Sequence, residues 1–123
     1  MNVLTAEVKE IVSLDRLNLI KFVLNEQILN VLILEMNVEL AVGKKAELIV
    51  KPTAVSVLND KCDFENVLKG RVKHIEKGEV LSSVTVEVEG FEMEAIILNK
   101  DLNDEVYVVF KANDIAISKV LDD

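Results

Sequence analysis

The side chains of this sequence able to do covalent or metal chemistry are few, and their spacing excludes most of it. The one histidine, His74, follows Lys73 and sits near Glu76 in a stretch that reads as a strand. It is expected at a solvated strand position rather than as a base or a ligand. The one cysteine, Cys62, leaves no partner for an intrachain disulfide and reads as a small buried or inert thiol. No cluster of His and Cys has metal-ligand spacing. Gly43-Lys44-Lys45 lacks the upstream glycine and the following Ser or Thr of a phosphate loop, so no nucleotide hydrolysis is encoded there. Glu87 and Glu89 are spaced for one strand face and read as solvated carboxylates, not as an acid and base pair. What stands out instead is a phrase that occurs twice. Lys51-Pro52-Thr53-Ala54-Val55-Ser56-Val57 and Lys111-Ala112-Asn113-Asp114-Ile115-Ala116-Ile117 each close a β-rich half of the chain.

The repeat extends backwards from these phrases. Leu4 to Val8 aligns with Leu68 to Val72, and Ile20, Phe22 and Leu24 align with Val84, Val86 and Val88, all 64 positions apart, whereas Lys51 and Lys111 are 60 apart. The second half has therefore lost about four residues, and they must come from a connection, because a strand that loses residues turns its faces over. A period of this size makes the repeat the unit of folding. The expected units are residues 1–60 and 64–120, joined by the polar linker Asn59 to Asp63. A unit of about 60 residues hides only roughly 60% of its unfolded surface, so the halves are expected to pack together and to recruit further copies of the chain.

Composition narrows the partners. The net charge of −8, with 22 acidic against 14 basic residues, is spread over both halves and supports solubility. It argues against nucleic acid, which needs clustered Lys and Arg, and the four Phe and one Tyr form no stacking platform in a basic stripe. Half of the residues are apolar, yet no run approaches the roughly 20 residues of a membrane span, and no amino-terminal signal pattern is present. A cytoplasmic protein without membrane insertion is expected.

Strands account for most of the chain. Val80, Ser82, Val84, Val86 and Val88 alternate with Leu81, Ser83, Thr85, Glu87 and Glu89, the period of a strand with one buried face. Glu89-Gly90-Phe91 is a tight turn into Met93 to Leu98, and Asn25-Glu26-Gln27 takes its place in the first half. Ala46 to Lys51 and Val106 to Lys111 follow as strands, then the closing strands Val55 to Leu58 and Ile115 to Ser118. Pro52 stands where a strand must leave its ladder. Between Glu35 and Val42, Met36 and Leu40 are spaced as a helical i, i+4 pair ahead of Gly43, which predicts one short helix in the first half. The matching segment, Asn99 to Asp104, is too short for a helix and reads as a turn. About five short strands per half predict an all-β chain of two tandem OB-like barrels.

Asn66-Val67-Leu68-Lys69-Gly70-Arg71-Val72, then Ile75-Glu76-Lys77-Gly78, a Val-rich strand, a Gly turn and Lys111-Ala112-Asn113-Asp114-Ile115 together resemble the molbindin family, also called Mop or TOBE domains. These small barrels open with an Ala-Arg-Asn-x-Leu-Lys-Gly phrase and close with a Lys-[Ala/Ser]-[Thr/Ser]-x-Val phrase. The resemblance covers nearly the whole chain as two copies, the second carrying the opening phrase better and the first the closing one. It implies non-covalent binding of molybdate or tungstate between packed barrels. The associated roles are molybdenum storage or homeostasis, the sensing part of a repressor, or the accessory domain of a transport ATPase. A dianion of this kind needs backbone N–H groups, hydroxyls and a nearby ammonium. On this resemblance the oxyanion-binding candidates are Lys51, Thr53, Lys111, Asn113 and Asn66, with no organic cofactor and no metal ligands, and the expected assembly is a trimer, with a dimer next.

The chain also departs from the family. Where the family has Ser-Ala-Arg-Asn, this sequence has Asp63-Phe64-Glu65-Asn66, so two carboxylates replace a hydroxyl and a guanidinium. One carboxylate at about 4 Å from a dianion costs on the order of 8 kcal/mol at an effective dielectric near 20. That cancels the roughly 8.2 kcal/mol of micromolar binding. In the strand before the connection, Asn30 and Val31 in one half and Glu94 and Ala95 in the other stand where small hydroxyl residues are usual. The sequence thus supports a non-enzymatic oxyanion-binding protein. Its alternative is a degenerate pair of barrels that keeps self-association as an oligomerisation or protein-interaction module without the anion.

Overall fold

Alternation of apolar and polar residues builds ten antiparallel strands among the described residues. A computed structural model describes residues 1–36 and 38–121. The strands are β1 (Asn2–Leu14), β2 (Leu17–Leu24), β3 (Gln27–Ile33), β4 (Lys45–Val50), β5 (Ser56–Leu58), β6 (Asn66–Lys77), β7 (Leu81–Val88), β8 (Phe91–Leu98), β9 (Glu105–Phe110) and β10 (Ile115–Leu121). In β1 the even positions Leu4, Ala6 and Val8 are buried while Val3, Thr5 and Glu7 face out. In β7 the same holds for Ser82, Val84, Val86 and Val88. Both long strands carry a bulge at the same place in the repeat, between Val8 and Glu10 and between Val72 and His74. A bulge sharpens local twist, which lets a five-stranded sheet curl.

The sheets do not follow the boundary at residues 60 to 64. One sheet has the order β10-β4-β1-β2-β3 and the other β5-β9-β6-β7-β8. Each half therefore contributes four strands to its own sheet and sends its closing strand to the other. Val57 lies opposite Val108, and Ile115 opposite Val50. Exchange of an identical element between two copies of a unit leaves the pairing of each sheet unchanged, which is why the repeat alone did not reveal it. The hydrogen bond from the Leu32 N–H to the Ala112 carbonyl (2.9 Å) ties the far edge of the first sheet to the segment leading into β10. Strand order 3-2-1-4-5, with the fifth strand lent by the other half and brought back near the third, is that of an OB-like barrel. The buried side chains form one connected apolar cluster that includes Leu4, Phe22 and Leu48 from the first half and Leu68, Val86 and Phe110 from the second.

The expected helix over Glu35 to Val42 is absent: none of its described residues is helical, and Asn37 lies outside them. Among the described residues the one helical element is a 3-10 turn, Pro52–Ala54. Met36 and Leu40 instead rest half-buried against the core from an irregular connection. Gly43 does take a positive φ of 93°, but it closes a turn in which the Lys44 N–H bonds the Ala41 carbonyl (3.0 Å). The extra residues of the first half do lie in this connection, since β3 to β4 spans 34–44 and β8 to β9 only 99–104.

The repeat's hairpin turns meet each other. Glu89 (φ 51°) and Gly90 (φ 85°) form the two positive-φ residues of a two-residue turn whose twist suits the flanking strands. Asn25 (φ 55°), its counterpart 64 positions earlier, donates through Nδ2 to the Glu89 carbonyl (2.8 Å), and the Glu26 N–H donates to Glu89 Oε1 (2.8 Å). Glu89 therefore docks one half on the other rather than sharing a solvated face with Glu87, which pairs with Lys73 at 3.6 Å. His74 is exposed on β6, as its flanking charges predict.

Gly70 sits where β6 and β7 approach closely. A Cβ there would lie 2.6 Å from Val86 Cγ1, 2.7 Å from the Glu87 carbonyl oxygen and 2.9 Å from Val88 Cγ2. Gly70→Ala should destabilise the protein by about 1 to 3 kcal/mol, because backbone as well as side chains must move. The equivalent position of the first half is Ala6, which is accommodated and buried. Urea denaturation of Gly70→Ala giving the parent midpoint would show that β7 yields without cost.

Candidate functional site

The strand exchange decides which parts of the two closing phrases meet. Because β10 pairs with β4 and Ile115 lies opposite Val50, the residues just after β4 face those just before β10. Lys51 thus shares a cleft of about 270 Å³ with Asn113, and Met1, Ala54 and Asp114 line it as well. Both phrases fold into the same tight turn. The Ala54 N–H bonds the Lys51 carbonyl (3.0 Å), and the Asp114 N–H bonds the Lys111 carbonyl (3.1 Å). Lys51 and Asn113 are both exposed, so an ammonium and a carboxamide from different copies of the repeat are available to one ligand. Asp114 sets a carboxylate against that positive charge.

The other candidates are not gathered there. Thr53, only two residues from Lys51, lines a separate groove of about 320 Å³ with Ser56, Ile96 and Lys100. Lys100 Nζ donates to the Val57 carbonyl at 2.7 Å and so secures the lent strand β5. Lys111 is exposed and lines neither cleft.

Asn66 is 1% exposed, and both ends of its amide are taken up inside the chain. Its Oδ1 accepts the Asn30 N–H (2.6 Å) and its Nδ2 donates to the Asn30 carbonyl (2.8 Å). The same clasp recurs 64 positions away. Asn2 Oδ1 accepts the Glu94 N–H (2.7 Å) and Asn2 Nδ2 donates to the Glu94 carbonyl (2.8 Å). Each clasp joins the first residue of a long strand in one half to the middle of the third strand in the other.

A third cleft, of about 350 Å³, was not foreseen as a unit. It is lined by Leu19, Lys21, Asn30, Leu32, Glu65 and Ala112. Glu65 Oε1 accepts the Ala112 N–H at 2.8 Å, the Glu65 carbonyl accepts Asn30 Nδ2 at 2.8 Å, and Lys21 Nζ lies 3.4 Å from Asn30 Oδ1. Glu65 was recognisable in the sequence as a departure, and Ala112 as part of the second closing phrase. The link between them was not, since it runs from one end of the repeat to the other. Among the described residues no buried side-chain nitrogen or oxygen lacks a partner, and no group of three His, Cys, Asp or Glu side chains converges. Among the described residues no helix is long and apolar enough to cross a membrane.

Comparison with known proteins agrees with this architecture. Residues 63–117 match the TOBE domain family. No curated protein matches the chain. Among solved structures, the chain is similar to the cytoplasmic molybdate-binding protein ModG, in a crystal form with molybdate bound. The TM-score is 0.84 at 22% identity, over 94% of this chain and 94% of that one. At that identity the likeness speaks for the fold. Residues 63–117 are thus similar to a TOBE domain, the same strands repeat in the first half, and the chain shares the all-β fold of the ModG structure.

Proposed function

We propose that this chain binds molybdate or tungstate non-covalently in the cytoplasm, catalyses no reaction, and serves in molybdenum homeostasis as storage, sensor or transport accessory. Residues 1–60 and 64–120 act as its two repeated units. The observation that carries this reading is the cleft in which Lys51 and Asn113, from different copies of the closing phrase, meet. An ammonium beside hydrogen-bond donors in a fixed turn is the donor set that a tetrahedral dianion needs. The fold shared with ModG, which holds molybdate, supports it. Thr53 and Lys111 belong to a site that further copies of the chain complete, and Asn66 acts by fixing β3 against β6.

Lys51→Ala should lower the affinity for molybdate tenfold or more, since a charge-assisted hydrogen bond contributes about 1.5 to 3 kcal/mol. Lys111→Ala should do less. Titration calorimetry of the parent, which should show heat with molybdate below millimolar concentration, checks both. Silence with molybdate and tungstate alike would leave the second reading, a protein-interaction module without an anion. The observation in its favour is that the side chains of Glu65 and Asn66 are already engaged in hydrogen bonds within the chain.

Self-association accompanies either reading. The ends of the long hairpins leave Val12, Leu14 and Leu17, and Ile75, Val80 and Leu81, exposed at related places in the two halves. Such apolar surface, on repeats this small, favours burial against further copies. Sedimentation at micromolar concentration should give a multiple of 13.7 kDa, with three copies the favoured number. A clean monomer would contradict it.

A further inference from the structure

The cleft around Glu65 has the donors of an oxyanion site and a carboxylate already in it. The Ala112 N–H points at Glu65 Oε1 (2.8 Å), and Lys21 and the Asn30 amide line the same space. The repeat supplies an internal control. Positions equivalent to Glu65 and Ala112 in the other half are Met1, 64 residues earlier, and Pro52, 60 residues earlier. Pro52 has no N–H to offer, and Met1 has no carboxylate to receive one. Donor and acceptor are thus present together in one half and absent together from the other, as expected if the carboxylate exists to meet that N–H. Shape agrees as well, because a carboxylate presents to an N–H the same charged oxygen that a small free oxyanion would.

We propose that this cleft is a self-occupied oxyanion pocket. The Glu65 carboxylate takes the place of a free anion, and removing it opens the pocket to small oxyanions from solution. The pocket is separate from the Lys51 cleft, so this inference holds whether or not molybdate binds there. Two further consequences follow from the geometry. The pocket does not respond to anions in the parent protein, and Lys21 supplies the charge that holds an anion once the pocket is opened.

The test uses formate as the probe and the Ala112 amide resonance of the full chain as the reporter. In Glu65→Ala the Ala112 N–H should shift with formate and saturate, and in Glu65→Ala with Lys21→Ala the apparent affinity should fall about tenfold. The parent and Glu65→Gln, whose side-chain carbonyl still reaches the same N–H, should not respond to equal concentrations. If Glu65→Ala is unfolded in plain buffer, circular dichroism gives the same reading: formate should refold it and an equal concentration of chloride should not. No response of Glu65→Ala to formate by either readout would overturn the proposal. So would an equal response of the parent or of Glu65→Gln.

Discussion

Residues 1–60 produced alone should not fold as a monomer. The first sheet ends on β4, whose partner on that side is β10 from the other half, paired from Ile115 opposite Val50 to Leu121 opposite Lys45. Without β10 the fully buried side chains Ala46, Leu48 and Val50 lose their neighbour, and a row of backbone N–H and C=O groups is left open. The fragment's own closing strand, β5, is three residues long against seven for β10, and in the intact chain it crosses to β9. A half can be completed only by a closing strand lent from elsewhere. That strand comes from a second copy of the fragment or from residues 61–123 added in trans. Circular dichroism combined with sedimentation should find the 1–60 fragment either unfolded or associated, and mixing the two fragments should restore cooperative unfolding. A folded, monomeric 1–60 fragment would show that β5 can return to β4 and that the exchange is incidental.

Asn66→Ala should be the most damaging single truncation of a polar side chain. It leaves the Asn30 N–H and carbonyl without partners at the junction of the halves. An orphaned buried polar group costs about 1 to 3 kcal/mol, so the pair amounts to about 2 to 6 kcal/mol, a large part of the total stability of a small protein. Asn66→Asp should lose most of this too, because a carboxylate cannot donate to the Asn30 carbonyl and repels it. Asn2→Ala should behave alike through Glu94. Urea midpoints with an unchanged slope would measure the loss. A change below about 0.5 kcal/mol for Asn66→Ala would mean that water replaces the amide there without penalty.

The strands were legible because one face of each is buried, which writes a period of two into the sequence. Val84, Val86 and Val88 show it, as do the turn at Glu89-Gly90 and the repeat that transfers both to the first half. The helix over Glu35 to Val42 was misread because Met36 and Leu40 need only touch the core, and an irregular loop brings two apolar side chains there as readily as a helical turn does. The exchange of closing strands was not legible at all. A strand that follows a short turn carries the same alternation whichever of two equivalent sheets receives it. The candidate site inherits that gap. Lys51 and Thr53 are neighbours in sequence yet line different clefts, and Lys51 meets Asn113 only because β4 and β10 are partners. Asn66 was identified from its motif. Its place in a paired clasp follows from Asn2 and Asn30, whose positions 64 residues from Asn66 and Glu94 are visible in the repeat once the contact is known.

The crossing of the closing strands also sets a timetable for the chain as it is made. Strands β1 to β4 have left the ribosome once Val50 is clear, but the strand that covers their open edge begins only at Ile115. Until then β4 is an exposed edge, the template on which nascent chains pair wrongly with one another. The two sheets must therefore reach completion together and late, through contacts between residues far apart in sequence, which slows folding. A cell making this protein in quantity would meet that delay as a demand on its chaperones, and slowing translation within the second half should lengthen the interval in which β4 can be captured by a neighbouring nascent chain.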